Sequence, residues 1–147
     1  MDTTGGKKVL GRKRHFAVDT QGNLVRVWVH AADLADQAAA AWWIDQLVAA
    51  CPTLHHVFAD AAYRGDWIAW VHEHLGLTVE IVTKLVDQQG FVVLPRRWVV
   101  ERTIAWSSRC RRLTRDFEYW PESSQAWLYL ASIRRLVRRL AANPTVS

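Results

Sequence analysis

The sequence predicts a mixed α/β domain in the order β-β-α-β-α-β-α-α, and three observations predict it. Apolar residues alternate with a period of two around residues 16–29, and again in β-branched form at residues 77–84. They recur at helical spacing through residues 33–50 and along the last fifty residues. Turn and breaker residues separate these segments, so strands and helices interleave, as a layered α/β domain requires.

Residues 1–14 are Gly-rich and basic without periodicity and read as an arm or the entry to a strand. Phe16 and Val18 alternate in a first strand, and Gln21-Gly22-Asn23 supplies a turn. Val25, Val27 and Val29 then form one face of a second strand, an antiparallel hairpin signal. Asp33 is positioned to cap a helix reaching Ala50, before Pro52. A strand over residues 54–59 ends on Asp60. A helix over 66–75 closes at Gly76 as its C-cap, and 77–84 is the next strand. After Phe91-Val92-Val93-Leu94-Pro95, one long helix is expected over 97–116 and another over 123–141. The last carries a stripe of Ile133, Leu136, Val137 and Leu140 beside Arg134, Arg135, Arg138 and Arg139. The expected organisation is a single domain: a basic arm at 1–14, a core at 15–120, and a C-terminal helix and tail at 121–147.

The length of 147 residues supports one domain with a real core. Half the residues are hydrophobic, which argues against disorder. Nine tryptophans fall inside the periodic segments, so Trp42, Trp43, Trp67 and Trp70 are expected in the core. Lysine and arginine outnumber acids 19 to 14, a net charge of +5, favouring a polyanionic partner. Positive charge clusters at Lys7 and Lys8 with Arg12, Lys13 and Arg14, at residues 109–115 and at 134–139. Two cysteines without a CxxC spacing suit a reducing cytosol, and no apolar run approaches the roughly 18 residues a membrane span needs. A cytoplasmic protein is the expectation.

Two acids stand out, each with an ordinary alternative. Asp60 ends a strand, where side chains in open α/β sheets face ligand crevices, but an acid there also serves as a helix N-cap. Glu101 falls nearly opposite the Val99, Thr103, Trp106, Cys110, Leu113 side of its helix, on a stripe with Arg97, Ser108 and Arg112. On periodicity alone it reads as a solvated residue paired with Arg97. His72 and His74 lie two apart on a helix and so diverge, which suits a surface rather than a metal site. His55 and His56 alternate sides of a strand and read as structural. Asp19 reads as turn chemistry ahead of Gly22.

Three blocks occur in order: Gly6-Lys7-Lys8-Val9-Leu10-Gly11-Arg12-Lys13-Arg14-His15 with Ala17-Val18-Asp19-Thr20, then Phe58-Ala59-Asp60-Ala61-Ala62-Tyr63-Arg64-Gly65, and then Gly90-Phe91-Val92-Val93-Leu94-Pro95-Arg96-Arg97-Trp98-Val99-Val100-Glu101-Arg102-Thr103-Ile104-Ala105-Trp106. Together they resemble the transposase domain of insertion-sequence family 5, whose enzymes are of the DDE class. The third is the most specific and continues into Arg111-Arg112-Leu113 and Asp116-Phe117-Glu118.

This resemblance implies a ribonuclease-H-like fold, a mixed sheet with flanking helices, and three acids holding Mg²⁺ or Mn²⁺ for phosphodiester cleavage and strand transfer. Asp60 matches the second acid, Glu101 the third, and Arg97 the arginine ahead of that glutamate in the related Tyr-Arg-Glu-Lys signature. Leu94 and Ser108 stand where that signature has tyrosine and lysine. The first acid belongs to a central strand preceding the Lys7-Lys8 block, which this chain does not contain, so the chain resembles the C-terminal part of the catalytic domain. Asp2 and Asp19 do not match by position. The expected partners are terminal inverted repeats and target DNA, together with self-association or an upstream frame product. Lys7, Lys8, Arg12, Lys13, Arg14, Arg97, Arg109 and Arg112 are the expected DNA contacts, with Arg109 and Arg112 on the helix of Glu101. For residues 134–139 a solubilising helix face is the stronger expectation. The alternatives are a non-catalytic nucleic-acid-binding remnant and an unrelated ribonuclease-H-like nuclease.

Overall fold

A computed structural model of the chain describes residues 11–34, 36–83 and 95–142. In chain order the elements are β1 (Arg12–Val18), β2 (Leu24–Ala31), α1 (Asp36–Ala50), β3 (His56–Asp60), α2 (Trp67–Leu75), β4 (Thr78–Val82), α3 (Pro95–Ser108) and α4 (Pro121–Ala142), with single 3₁₀ turns at Ala61–Tyr63 and Arg111–Leu113. The mixed α/β order read from the sequence is present. Among the described residues the strands form two separate pairs, β1 antiparallel to β2 and β3 parallel to β4.

The hairpin follows from its pleat. His15 lies opposite Trp28 and Phe16 opposite Val27, so alternate residues face opposite sides. Phe16, Val27 and Val29 point to the side of α4, where they pack with Leu113 and Leu128. The Tyr129 hydroxyl accepts the Val27 N–H at 3.1 Å, so α4 also occupies a backbone donor of β2. The opposite face carries His15, Trp28 and His30 towards Trp42 and Trp43 of α1. A second core joins Ile44 and Leu47 of α1 to Val71 of α2 and to Leu77, with Ala17, Val57 and Val79 packed against it. Residues of β1, β3 and β4 thus share one apolar layer over α1. Truncating Leu77 or Leu128, both almost wholly buried, would cost about 2–5 kcal/mol.

Arg12, Lys13 and Arg14, read from the sequence as an arm or the entry to a strand, are the first residues of β1. Several other local expectations change. The first helix starts at Asp36 rather than behind an Asp33 cap. Lys13 draws that start to β1, with Nζ 3.0 Å from Asp36 and donating to the Leu34 carbonyl at 2.8 Å. The long helix expected over 97–116 ends at Ser108. The Ser107 and Ser108 hydroxyls donate to the carbonyls of Thr103 and Ile104, while the Cys110 N–H tightens onto Ser107 three residues back. The chain then turns so that Leu113 enters the hairpin core. Trp43 is buried as expected, whereas Trp42 and Trp70 are exposed and lie beside Trp28 and His74 respectively. Ile133, Val137 and Leu140 of the α4 stripe face outward and are more than half exposed.

The hairpin turn is the tightest local structure. One Asp19 carboxylate oxygen accepts the N–H groups of Gln21 and Asn23 at 2.9 and 2.8 Å, and the other accepts the Asn23 side-chain amide at 2.7 Å. Burial pushes the Asp19 carboxyl up, but these bonds outweigh it and its pKa is lowered. Gly22 sits at φ +81°, and a Cβ there would meet Arg102 Nη2 and Thr103 Oγ1, both at 3.0 Å. Gly22→Ala is therefore expected to lower unfolding free energy by about 1–3 kcal/mol in urea titrations. Unchanged stability would show that the turn relaxes freely.

A buried relay crosses the α1 side of the hairpin. His30 Nδ1 lies 2.6 Å from its neighbour's carbonyl, on Ala31, which requires Nδ1 to donate. His30 Nε2 therefore accepts from His15 Nε2 at 2.6 Å, and His15 Nδ1 accepts from the Tyr63 hydroxyl. Burial, and then His30, lower the His15 pKa from 6.5 to about 4. The unfolded chain then binds more protons than the fold between those two values. The contribution is complete above pH 6.5 and is lost as pH falls towards 4, a total on the order of 3 kcal/mol. Chemical denaturation across that window should show wild type losing stability more steeply than His15→Gln. Parallel profiles would mean that His15 does not hold this neutral state.

Candidate active site

Asp60 is the last residue of β3, and its backbone leaves the strand into the 3₁₀ turn. Its carboxylate accepts the Ala62 N–H at 2.6 Å, so in this state it caps that turn. The Tyr63 side chain behind the turn has its hydroxyl pKa raised, by burial first and by the negative charges of Asp36 and Asp60 after it. Asp36, Asp60 and the Tyr63–His15 link therefore lie in one neighbourhood at the end of β3.

Glu101 lies in the second turn of α3. Arg97 Nε donates to its carboxylate at 2.9 Å, one helical turn away, and both side chains are about half exposed. The pair expected from spacing is present, and at that exposure it contributes about 0.3–0.5 kcal/mol. The first turn of α3 reaches β3, where the Arg96 guanidinium sits 3.8 Å from the centre of the Phe58 ring, two residues before Asp60. Each acid commits one oxygen to a described partner. Asp60 and Glu101 supply hard oxygen donors of the kind that suits Mg²⁺. Among the described residues, however, no group of three histidines, cysteines, aspartates or glutamates lies close enough to hold a metal ion. His72, Glu73 and His74 are exposed on α2, and His56 pairs with Glu80 at 3.3 Å.

The cations named from the sequence have different surroundings. Lys7 and Lys8 lie outside the described residues. Arg12 and Arg14 meet Asp116 at 3.1 and 3.5 Å, and Lys13 meets Asp36. Asp116 also accepts from the Ser124 hydroxyl and the Glu118 N–H; burial raises its pKa, these partners lower it, and the net shift is downward. Arg112 pairs with Glu118 at 2.8 Å and lies 4.9 Å from the Trp127 ring centre. Arg109 and Arg112 follow the end of α3 and do not share a helix with Glu101. Most of the expected DNA contacts thus already neutralise a carboxylate, whereas Arg109 stands at the rim of an open groove between α3 and α4.

That groove was not foreseen. Its volume is about 740 Å³, and its walls include Arg102, Arg109, Arg134, Arg135, Arg138 and Arg139 around Trp106. The run 134–139 hinted at it, but nothing in the sequence showed that α3 would bring Arg102 against the same face.

No curated protein matches the chain by sequence. Among solved structures, the catalytic core domain of BIV integrase superposes with a TM-score of 0.53 at 22% identity, covering 82% of this chain and 72% of that one. The likeness establishes an integrase-core, ribonuclease-H-like fold. Among the described residues no helix is long and apolar enough to cross a membrane. A family model for the transposase DDE domain matches residues 2–136, and the chain belongs to that family.

Proposed function

We propose that this chain is a DNA transposase module of the insertion-sequence family 5 type, acting in metal-dependent phosphodiester cleavage and strand transfer at element ends. The supporting observation is that Asp60 ends β3 in an integrase-like fold while the helix of Glu101 starts against that strand, through Arg96 and Phe58. Asp60 and Glu101 would hold Mg²⁺ or Mn²⁺, and the DNA substrate would be terminal inverted repeats and target DNA. When bound, the ion supplies neutralisation of phosphate charge and an activated water. The chain's own part is to present the two carboxylates and to hold Glu101 in place through Arg97, which would also face the DNA backbone.

Within these 147 residues Asp60 and Glu101 match the second and third acids of the family and no aspartate matches the first by position; self-association or an upstream frame product is proposed as a partner beside the DNA. A second reading, DNA binding without catalysis, is favoured by the present partners of the two acids: Ala62 for Asp60 and Arg97 for Glu101.

Metal affinity separates the readings, and a cleavage assay tests whether two acids suffice. Mn²⁺ affinity, followed by water-proton relaxation, should fall about tenfold or more in Asp60→Asn and in Glu101→Gln. Equal affinity in all three proteins would remove the shared-ion assignment. In a nicking assay on a terminal-repeat duplex with Mg²⁺ or Mn²⁺, the isolated chain should barely exceed background. Vigorous cleavage would show that two acids suffice.

A further inference from the structure

The walls of the α3–α4 groove carry six arginines, and none of its lining residues is acidic. Arg102 lies between the rings of Trp98 and Trp106, 4.5 and 4.6 Å from their centres, and Arg135 lies 4.1 Å from the Trp106 ring. The hydrogen-bond partners of the inner arginines are neutral oxygens. Arg102 donates to the Gln21 carbonyl, Arg135 to the Gly22 carbonyl and the Asn23 side chain, and Arg139 to the side chains of Asn23 and Gln21. Their charges are therefore oriented but not cancelled. The Arg102 Nε is buried and has no hydrogen-bond partner. Burial, and then Arg139 and Arg102, pull the Arg135 pKa below the usual arginine value, as crowding of like charge requires. Asp19 in the adjoining turn offsets part of this charge on Arg135, but less than burial and the neighbouring arginines add, so the cluster stays net repulsive and a bound anion would relieve it.

We propose that this groove binds the phosphodiester backbone of nucleic acid, independently of base sequence. Arg134 and Arg138 stand one helical turn apart on α4 and Arg109 faces them from the end of α3, so the cations form a row rather than a single pocket. A duplex presents one negative charge for about every 1.7 Å of axis, a density that matches such a row. Arg102 and Arg135 are fixed over the indole rings and by their neutral acceptors, and the exposed Arg134 and Arg138 keep their N–H groups available for phosphate oxygens. Naming nucleic acid as the polyanion rests on the transposase reading above. The binding itself requires neither Asp60, Glu101 nor a metal.

The test is anisotropy of a labelled short duplex of arbitrary sequence with the full 147-residue chain, in chelator, across a salt series. Arg134 and Arg138 are exposed and make no hydrogen bond or ion pair with the described residues, so Arg134→Gln/Arg138→Gln should melt like wild type. It should bind on the order of tenfold more weakly at low salt, with the slope of log affinity against log salt reduced by about two. Arg139→Gln should weaken binding in the same direction. Wild-type affinity and slope in these variants would overturn the proposal. So would an effect confined to binding of inorganic pyrophosphate, which would mark a small-anion site, or displacement of the duplex by polyglutamate as readily as by unlabelled duplex. Because the assay contains no free metal, cleavage can fail while this binding stands, and binding can fail while cleavage stands.

Discussion

The insertion of the β1–β2 turn between the two C-terminal helices is the constraint on which the rest of the arrangement depends. Gly22 presents its carbonyl to the Thr103 hydroxyl at 2.8 Å and to Arg135 at 2.9 Å, joining positions 81 and 113 residues apart. Such contacts repay a large loop-closure cost only if the turn is already rigid, and the Asp19 carboxylate makes it so by gathering three donors. One small turn thereby sets where α3 and α4 lie against the hairpin. It also determines which arginines meet above it.

Charge is distributed unevenly around that constraint. On the β1 side each cation finds a carboxylate, and Asp116 alone gathers Arg12 and Arg14 at the entry to α4. The two Asp116 pairs join segments more than a hundred residues apart, so they tie β1 to the loop ahead of α4. On the α3–α4 side the hydrogen-bond acceptors are carbonyls and amides, which orient a guanidinium without neutralising it. A net charge of +5 says nothing about this division; the division appears only when each cation's partner is known.

Much of the fold was legible because its signals are local. The period-two valines, the Gln21-Gly22-Asn23 turn, the Gly76 cap at φ +62° and the strand ending on Asp60 each depend on a few neighbours. The end of α3 was not legible. No glycine or proline interrupts residues 97–116, and the helix stops because Leu113 gains more by entering the hairpin core than by continuing the turn. For the same reason Arg109 and Arg112 were assigned to the wrong element. Trp42 and Trp70 share the helical periodicity of buried residues, yet among the described residues both stay substantially exposed, Trp42 with one side against Trp28 and Trp70 beside His74 of its own helix. The groove was illegible in a stronger sense, since it needs α3, α4 and the hairpin turn together. At the acids, spacing alone correctly anticipated the Arg97–Glu101 pair, and the family resemblance supplied the reason to look beyond it.

The present partners of Asp60 and Glu101 are weak grounds for denying them a metal. An exposed pair one helical turn apart is worth a fraction of a kilocalorie, and a doubly charged ion beside Glu101 offers far more Coulombic attraction than Arg97 does. Asp60 gives one oxygen to Ala62, and a carboxylate can accept such a bond and ligate through the other. Indeed a carboxylate fixed by a backbone N–H is better oriented for a ligand than a free one. For the proposed metal role, the number of acids matters more than their present partners. Two carboxylates leave more of the positive charge of a divalent pair uncompensated, and Mg²⁺ surrenders its waters reluctantly to so few protein oxygens. The proposed metal role therefore calls for a further carboxylate near the end of β3, beside the Tyr63–His15 link that ties that strand end to the hairpin.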